Sequence, residues 1–351
     1  MTSRAKHKPP IRIGIIGAGG IVRSRHLPGL LNLPGVAITA VANSTPASAA
    51  AFCREFSLDA HIHGDWRELV DDMNVDCVWI GATPYLHEPC TIAALENEHH
   101  VFCQARMART LAEAERMLDA ALQCPAQVTM LCPPPFGLEE DAWVRECIAS
   151  GRIGKPLSSQ LRSLNGSLLD PAAPAHWRQR EEISGHNIMT LGIFTEVLQR
   201  WFGPVLSVSA SGRVVNPVRQ GYIVRIPDIL QVQASFGSGL LSSWEFSGMH
   251  TGPAVNDLKI TGEKGLLHFD FNTGVLREYK NAKTGWKELP APKKLLRPWR
   301  VEADFIEAVR NPSAPRPGPD FLEGISYMRV VDAVHTSLRT GERVTVAPGV
   351  A

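Results

Sequence analysis

The sequence predicts an α/β protein in two parts: an amino-terminal parallel sheet, then an α+β domain with a largely antiparallel, open sheet. Three observations predict this. Short apolar runs alternate with helix-length segments up to residue 131, the triple proline Pro133-Pro134-Pro135 breaks that rhythm, and from Val205 to about Glu288 apolar and polar residues alternate. At 351 residues the chain exceeds what one core usually supports, so two domains are expected, 1–132 and 133–351.

The basic start MTSRAKHKPP lacks the apolar stretch and cleavage site of a signal peptide and reads as a disordered lead-in to a first strand at Ile11–Ile16. Further strands are expected at Ala37–Ala42, Cys77–Gly81, His100–Cys103 and Gln127–Leu131, with His61, His63 and the pair His99-His100 read as loop histidines. Thr110 and Glu113 form a capping box ahead of a helix whose Leu111, Ala114, Leu118 and Ala121 share a face. Beyond the prolines come a helix carrying Trp143, Val144, Cys147 and Ile148, closed by Gly151 and Gly154, and a strand at Leu157–Leu164. A long segment through Pro171, Pro174 and Trp177 leads to a helix near Asn187–Trp201. Gln231–Phe236 and Leu240–Phe246, joined by Gly237-Ser238-Gly239, read as a hairpin. Helices Val301–Arg310 and Phe321–Thr340 close the chain around a proline-rich loop, and there is no internal repeat.

Composition excludes several classes. A net charge of +1 gives no electrostatic basis for nucleic acid or an anionic membrane, and no run approaches the ~18 apolar residues that span a bilayer. A soluble, cytoplasmic protein is expected. Its seven scattered cysteines, without CxxC spacing, read as buried free thiols, and no histidine/carboxylate cluster has metal spacing.

Gly17-Ala18-Gly19-Gly20-Ile21-Val22, between a strand and a helix, fits GxGxxG except at its last position. Such glycines permit a tight turn and let backbone N–H groups approach a pyrophosphate, so Gly17, Gly19, Gly20 and Ile21 are expected to hold a dinucleotide on a Rossmann fold. At the end of the second strand stand Asn43-Ser44-Thr45, where an acid would select NAD by repelling a 2′-phosphate. The cofactor is therefore NAD or NADP, with Asn43 and Ser44 beside its ribose.

The order of motifs resembles the glucose-fructose oxidoreductase, inositol dehydrogenase and rhizopine-catabolism family of sugar and polyol dehydrogenases. The resemblance rests on the glycine turn with His26-Leu27-Pro28, on Thr83-Pro84 with His87, and on Val101-Phe102-Cys103 leading to Met107-Ala108-Arg109-Thr110. It continues through Gly151-Arg152-Ile153-Gly154-Lys155-Pro156, Trp177-Arg178 and Leu191-Gly192-Ile193. It implies a Rossmann domain followed by an α/β domain whose open sheet often forms an oligomer interface, hence a homodimer or homotetramer. It also places Thr83, Pro84, His87 and Gln104 near the cofactor. The family's Glu-Lys-Pro signature falls on Gln104-Ala105-Arg106, without the lysine. Its aspartate, histidine and second aspartate at i, i+4 and i+7 fall on Thr190, Phe194 and Val197.

Replacement chemistry has few candidates. His186, four residues before Thr190, is expected on the same helix face as acid, base or substrate partner, with Asn187 beside it as a hydroxyl ligand or helix cap. Arg106 offers positive charge next to the missing lysine, whereas Glu196 reads as an i, i+4 partner of Arg200. Trp177 and Arg178 offer an aromatic plane and a fork for carboxylate or hydroxyls, completing with Thr190 a substrate set. The resemblance implies an NAD(P)-dependent oxidoreductase on a carbohydrate-like or polyol small molecule with a non-standard site. A lyase, hydratase or glycoside-cleaving enzyme that retains the cofactor, or a non-catalytic nucleotide-binding protein, stays open at this point.

Overall fold

The computed structural model describes residues 9–347, so most of the expected disordered lead-in, residues 1–8, lies outside the described residues. The chain forms two compact units: Met1–Ala108 with Ala112–Cys132 and Arg300–Leu322, and Arg109–Leu111 with Pro133–Trp299 and Glu323–Ala351.

The first unit is a six-stranded parallel sheet of β1 (Ile11–Ile16), β2 (Val36–Ala42), β3 (His61–His63), β4 (Cys77–Ile80), β5 (His100–Cys103) and β6 (Thr129–Leu131), in the order β3-β2-β1-β4-β5-β6. The order reverses between β1 and β4, and in such a sheet ligands bind beyond the strand carboxyl ends at that reversal. Ile13, Ile15, the whole of β4 and Val101–Cys103 are buried, as expected of strands covered on both faces. The helices here are α1 (Leu27–Leu31), α2 (Pro46–Glu55), α3 (Trp66–Val70), α4 (His87–Glu96) and α5 (Leu111–Gln123).

Two loop assignments are corrected. His61 and His63 lie on β3, which pairs with β2 through Ala40↔His61 and Ala42↔His63. A three-residue strand written His-Ile-His has no apolar run to announce it. His100 opens β5, and the buried His99 sits 2.7 Å by Nε2 from the Val70 carbonyl oxygen.

The second unit is a nine-stranded mixed sheet built from β7 (Pro156–Leu164), β8 (Val205–Arg213), β11 (Ile229–Phe236), β12 (Leu241–Ser247), β13 (Val255–Gly262), β14 (Gly265–Asp270), β15 (Val275–Tyr279), β16 (Trp286–Glu288) and β17 (Val344–Thr345). A separate hairpin pairs β9 (Val218–Arg219) with β10 (Tyr222–Ile223). Only β7 and β12 run parallel; the other neighbours are antiparallel. The helices are α6 (Asp141–Ala149), α7 (Glu181–Ser184) and α8 (Leu191–Phe202), then α9 (Val301–Arg310) in the first unit and α10 (Phe321–Thr340), most of it in the second. Inward residues such as Leu161, Val232, Trp244 and Leu258 form one core with Leu191, Phe194, Leu198 and Val331. Gln160, Gln231 and Gln233 on the other face stay exposed, leaving that face open.

A second domain running unbroken from 133 omits the return of 300–322 to the first unit. The reason is packing. Phe305 of α9 meets Trp79 edge-on at 5.7 Å and Phe102 at 5.9 Å, and Glu302 reaches the buried His26 at 2.6 Å.

All seven cysteines are free and six are buried; burial raises the thiol pKa of Cys103 and Cys77, which makes them inert. Glu196 does face Arg200, at 3.4 Å, but inside the unit, where its side chain is 9% exposed. Burial drives its pKa to about 7, with Arg200 pulling it back and Glu323 and Asp141 pushing it up. A folded-state value above the unfolded one near 4.5 stabilises fully below that value, and the contribution is lost as pH rises through about 7. Glu196→Gln should therefore gain on the parent by roughly 2–3 kcal/mol between about pH 5 and about pH 8.5. Urea unfolding at the two pH values measures it, and an unchanged gap would place the Glu196 pKa near 4.5.

Candidate functional site

The cleft of the first unit begins at the glycine turn. Gly17, after β1, has φ +87° and donates its N–H to the Ala42 carbonyl at 2.9 Å. A Cβ here would sit 2.5 Å from the Ala82 nitrogen, so only glycine lets the turn meet the loop after β4. Gly19 and Gly20 differ: a Cβ on Gly19 would meet nothing nearer than 3.9 Å, and one on Gly20 nothing within 4 Å. Gly20 and Ile21 open a helix that passes through a π-helical turn, Val22–His26, into α1. Open space over a helix start is what a pyrophosphate needs to reach backbone N–H groups, so these residues fit a dinucleotide.

The cleft, about 550 Å³, is lined by Gly17, Gly19, Asn43, Ser44 and Thr83 among the expected cofactor residues. Asn43 Oδ1 accepts from the Ala18 N–H at 3.3 Å, tying the end of β2 to the turn. Sequence reasoning missed the far wall, Gly64-Asp65-Trp66-Arg67 with Tyr85 and Leu86. Asp65 caps α3 by accepting from the Arg67 N–H at 2.9 Å and holds the Arg67 guanidinium at 3.0 Å, which lies 4.6 Å over the Trp66 ring. The available signal was the Asp65/Glu68 capping box, detached from any recognised strand.

Other expected cofactor residues lie outside this lining. Ile21 is exposed and Pro84 buried. His87 is fully buried, with Nδ1 2.8 Å from the Arg106 carbonyl and Nε2 3.0 Å from the Ala82 carbonyl, so it clips the loop after β4 to the loop after β5. Burial lowers its pKa, although these carbonyls and that of Met107 oppose the shift. Gln104 accepts from the Ala105 N–H at 3.1 Å and places its amide against His26 Nε2, whose Nδ1 meets Glu302. The side chains of His87 and Gln104 thus brace the protein. Arg106 is 2% exposed, which rules out a surface ion pair.

In the second unit, Gly185 has φ +60° and a Cβ there would overlap the Arg109 carbonyl oxygen, which also accepts the His186 N–H at 2.9 Å. With Met189 at φ +45° and Thr190 as N-cap, α8 starts only at Leu191. His186 and Asn187 therefore precede the helix, and the shared face with Thr190 is not formed. Two positive-φ residues stop the helix from extending backward.

The His186 ring instead lies flat on His335, centroids 3.7 Å apart and planes 7° from parallel, with Nδ1 3.0 Å from Asp332 Oδ1 on α10. The hydrogen bond from His186 holds the Asp332 carboxyl below its ordinary value against the effect of burial, while burial and the His186 charge lower His335. Asn187 is buried and donates Nδ2 to the Ser184 carbonyl at 2.8 Å. Thr190 Oγ1 is 3.0 Å from Ser163 Oγ on β7. Trp177 and Arg178 lie on a 3-10 turn, the guanidinium 4.1 Å from the ring centroid.

Phe194 and Val197 are wholly buried, Phe194 stacked on Phe136 at 5.1 Å and edge-on to Phe271. Phe194→Ala should destabilise the unit by about 3–5 kcal/mol, read from the urea midpoint. A loss below about 1 kcal/mol would mean the ring is not packed as described.

Among the described residues no helix is long and apolar enough to cross a membrane. Residues 11–131 match the family model for an oxidoreductase family with an NAD-binding Rossmann fold, and residues 142–268 match the GFO/IDH/MocA carboxy-terminal domain. The inositol 2-dehydrogenase of Salmonella typhimurium (strain LT2) is 29% identical over 344 residues, covering 94% of this chain and 95% of that one. The levoglucosan dehydrogenase of Pseudarthrobacter phenanthrenivorans is 29% identical over 289 residues, 74% of each. A solved levoglucosan dehydrogenase, in complex with NADH and levoglucosan, superposes with a TM-score of 0.86 at 22% identity over 97% of this chain and 100% of that one, a likeness of fold. The chain accordingly belongs to the glucose-fructose oxidoreductase, inositol dehydrogenase and rhizopine-catabolism family of NAD-binding oxidoreductases.

Proposed function

We propose that the protein is an NAD-dependent dehydrogenase or reductase of a sugar-like or polyol substrate, in which His186 handles the proton. The observation that carries this reading is the glycine-walled cleft, closed at Gly17 and open over the helix start at Gly19 and Gly20. Relatives named as inositol and levoglucosan dehydrogenases support the substrate class.

NAD, when bound, supplies a hydride acceptor at nicotinamide C4. Gly17, Gly19, Gly20, Asn43, Ser44 and Thr83 would hold it, while His87 and Gln104 brace the loops around the cleft. On the substrate side, His186 donates Nδ1–H to Asp332, which leaves the Nε2 lone pair to take a hydroxyl proton and Nε2–H to return one. Asp332 fixes that tautomer and stabilises the imidazolium. Phe194 and Val197, hydrocarbon in a closed core, can do neither, and Ala105 carries no cation, so the site is non-standard. Arg106 supplies positive charge, and Asn187 and Thr190 shape the substrate side. The seven reduced thiols support a cytoplasmic enzyme, and the uncovered polar face of the second sheet supports a homodimer or homotetramer.

The test is to mix the purified chain with NAD and a panel including myo-inositol, levoglucosan, hexoses and sugar acids and to follow reduced-nicotinamide absorbance. Growth of that absorbance with at least one member is the expected result. Conversion of a substrate without any absorbance change would reject the reading.

A further inference from the structure

We propose that His335 is the positioning residue of His186: its imidazole face fixes the plane of the proton-handling ring and steadies the positive charge that ring gains; this rests on the role given to His186 above. The backbone at His186 is already fixed, by the turn at Gly185 with φ +60° and by the N–H bond to the Arg109 carbonyl at 2.9 Å. The ring is another matter. It turns on its side-chain torsions, and the hydrogen bond to Asp332 Oδ1, at 3.0 Å, still lets it swivel about the line joining Nδ1 and Oδ1. That contact is also reached by water, the two side chains being 26% and 38% exposed, so alone it is a weak restraint.

His335 supplies the missing restraint. It follows Asp332 by three residues on α10, where i and i+3 share a face, so one helix face presents the carboxylate and the second ring together. The two imidazoles lie 3.7 Å apart and within 7° of parallel, whereas His61 and His63 meet at 71° and His26 and Trp79 at 58°. Among the described residues no hydrogen bond reaches the His335 ring, so it acts on His186 through its face. The face matters most when charge appears. As Nε2 of His186 takes a hydroxyl proton, the O–H electron pair staying on the oxygen, the ring becomes an imidazolium lying against a π-face, well inside the about 6 Å over which such a face attracts a cation. That attraction needs a neutral His335. Burial first and the His186 charge second hold its pKa below the ordinary 6.5, with Arg339 of α10 adding to them and Asp332 of α10 and Glu181 of α7 opposing, so His335 is uncharged at neutral pH. Only when pH falls below that lowered value does it gain a proton, and two like charges then face each other.

The experiment compares His335→Phe, which keeps a flat ring without nitrogens, with His335→Ala. Both are made in the full-length chain and followed by steady-state kinetics with NAD on whichever panel substrate is turned over and by nitrogen-15 NMR of the labelled histidines. His335→Ala should lower kcat by at least about ten-fold, with KM and NADH affinity within about two-fold of the parent, and His186 should lose its single Nδ1–H tautomer. His335→Phe should hold kcat within about three-fold of the parent and keep that tautomer. A merely structural His335 would lower the melting temperature of the alanine variant but leave kcat per folded molecule and the tautomer unchanged. Parent-like kcat in His335→Ala, a single Nδ1–H tautomer kept in that variant, or equal loss of kcat in both variants would overturn the proposal. If His186→Ala leaves turnover unchanged, the role of His186 falls while the spectrum still decides whether His335 orients the ring; loss in His186→Ala without loss in His335→Ala removes this inference alone.

Discussion

His186→Ala is expected to lower turnover by about 10²–10⁴-fold, the range over which a positioned acid or base acts, and to leave NADH affinity within about two-fold of the parent. The split follows from location: His186 lies in the second unit against Asp332 and His335, whereas the glycine cleft is built entirely by the first. Asp332→Asn should have a smaller effect of the same kind, because the imidazole keeps its stacking on His335 but loses the carboxylate that sets its tautomer. Turnover unchanged in His186→Ala, with an unchanged melting temperature, would remove this residue from the mechanism.

Gly17→Val is the second large effect. The new side chain would begin 2.5 Å from the Ala82 nitrogen at a φ of +87°, a conformation that a β-branched residue avoids. The turn must open, and the helix start at Gly20 shifts away from the pyrophosphate position. NADH binding, followed by quenching of protein fluorescence, should weaken by at least about 10²-fold, on the order of 3 kcal/mol. Gly20→Ala is the control, because a Cβ there meets nothing within 4 Å. Equal weakening by both would show that bulk over the helix start, and not closure between the turn and Ala82, governs the site.

The parts of this molecule readable from sequence are those fixed by local physics. β1 with its glycine turn, the alternation of strand and helix up to Leu131 and the antiparallel rhythm after Val205 are periodicities of neighbouring residues. The return of α9 to the first unit was not legible, because it depends on Phe305 meeting Trp79 and Phe102 more than 200 residues away in the chain. His186 lies where apolar spacing alone would extend α8 backward, but Gly185 and Met189 at positive φ hold that stretch off the helix. Its partners on α10 are some 146 residues distant and carry no sequence signal. Gln104 and His87 were expected at the cofactor but support the loops that shape its cleft, a distinction only packing makes. The wall at Asp65–Arg67 was missed because a strand as short as β3 leaves no periodic trace.

Hydride transfer between a bound nicotinamide and a carbohydrate-like substrate is tested by label transfer. With NADH deuterated at C4 and the ketone form of whichever panel substrate is turned over, mass spectrometry of the product should find deuterium on the carbinol carbon. Product that carries no label, or takes its hydrogen from solvent, would contradict the claim.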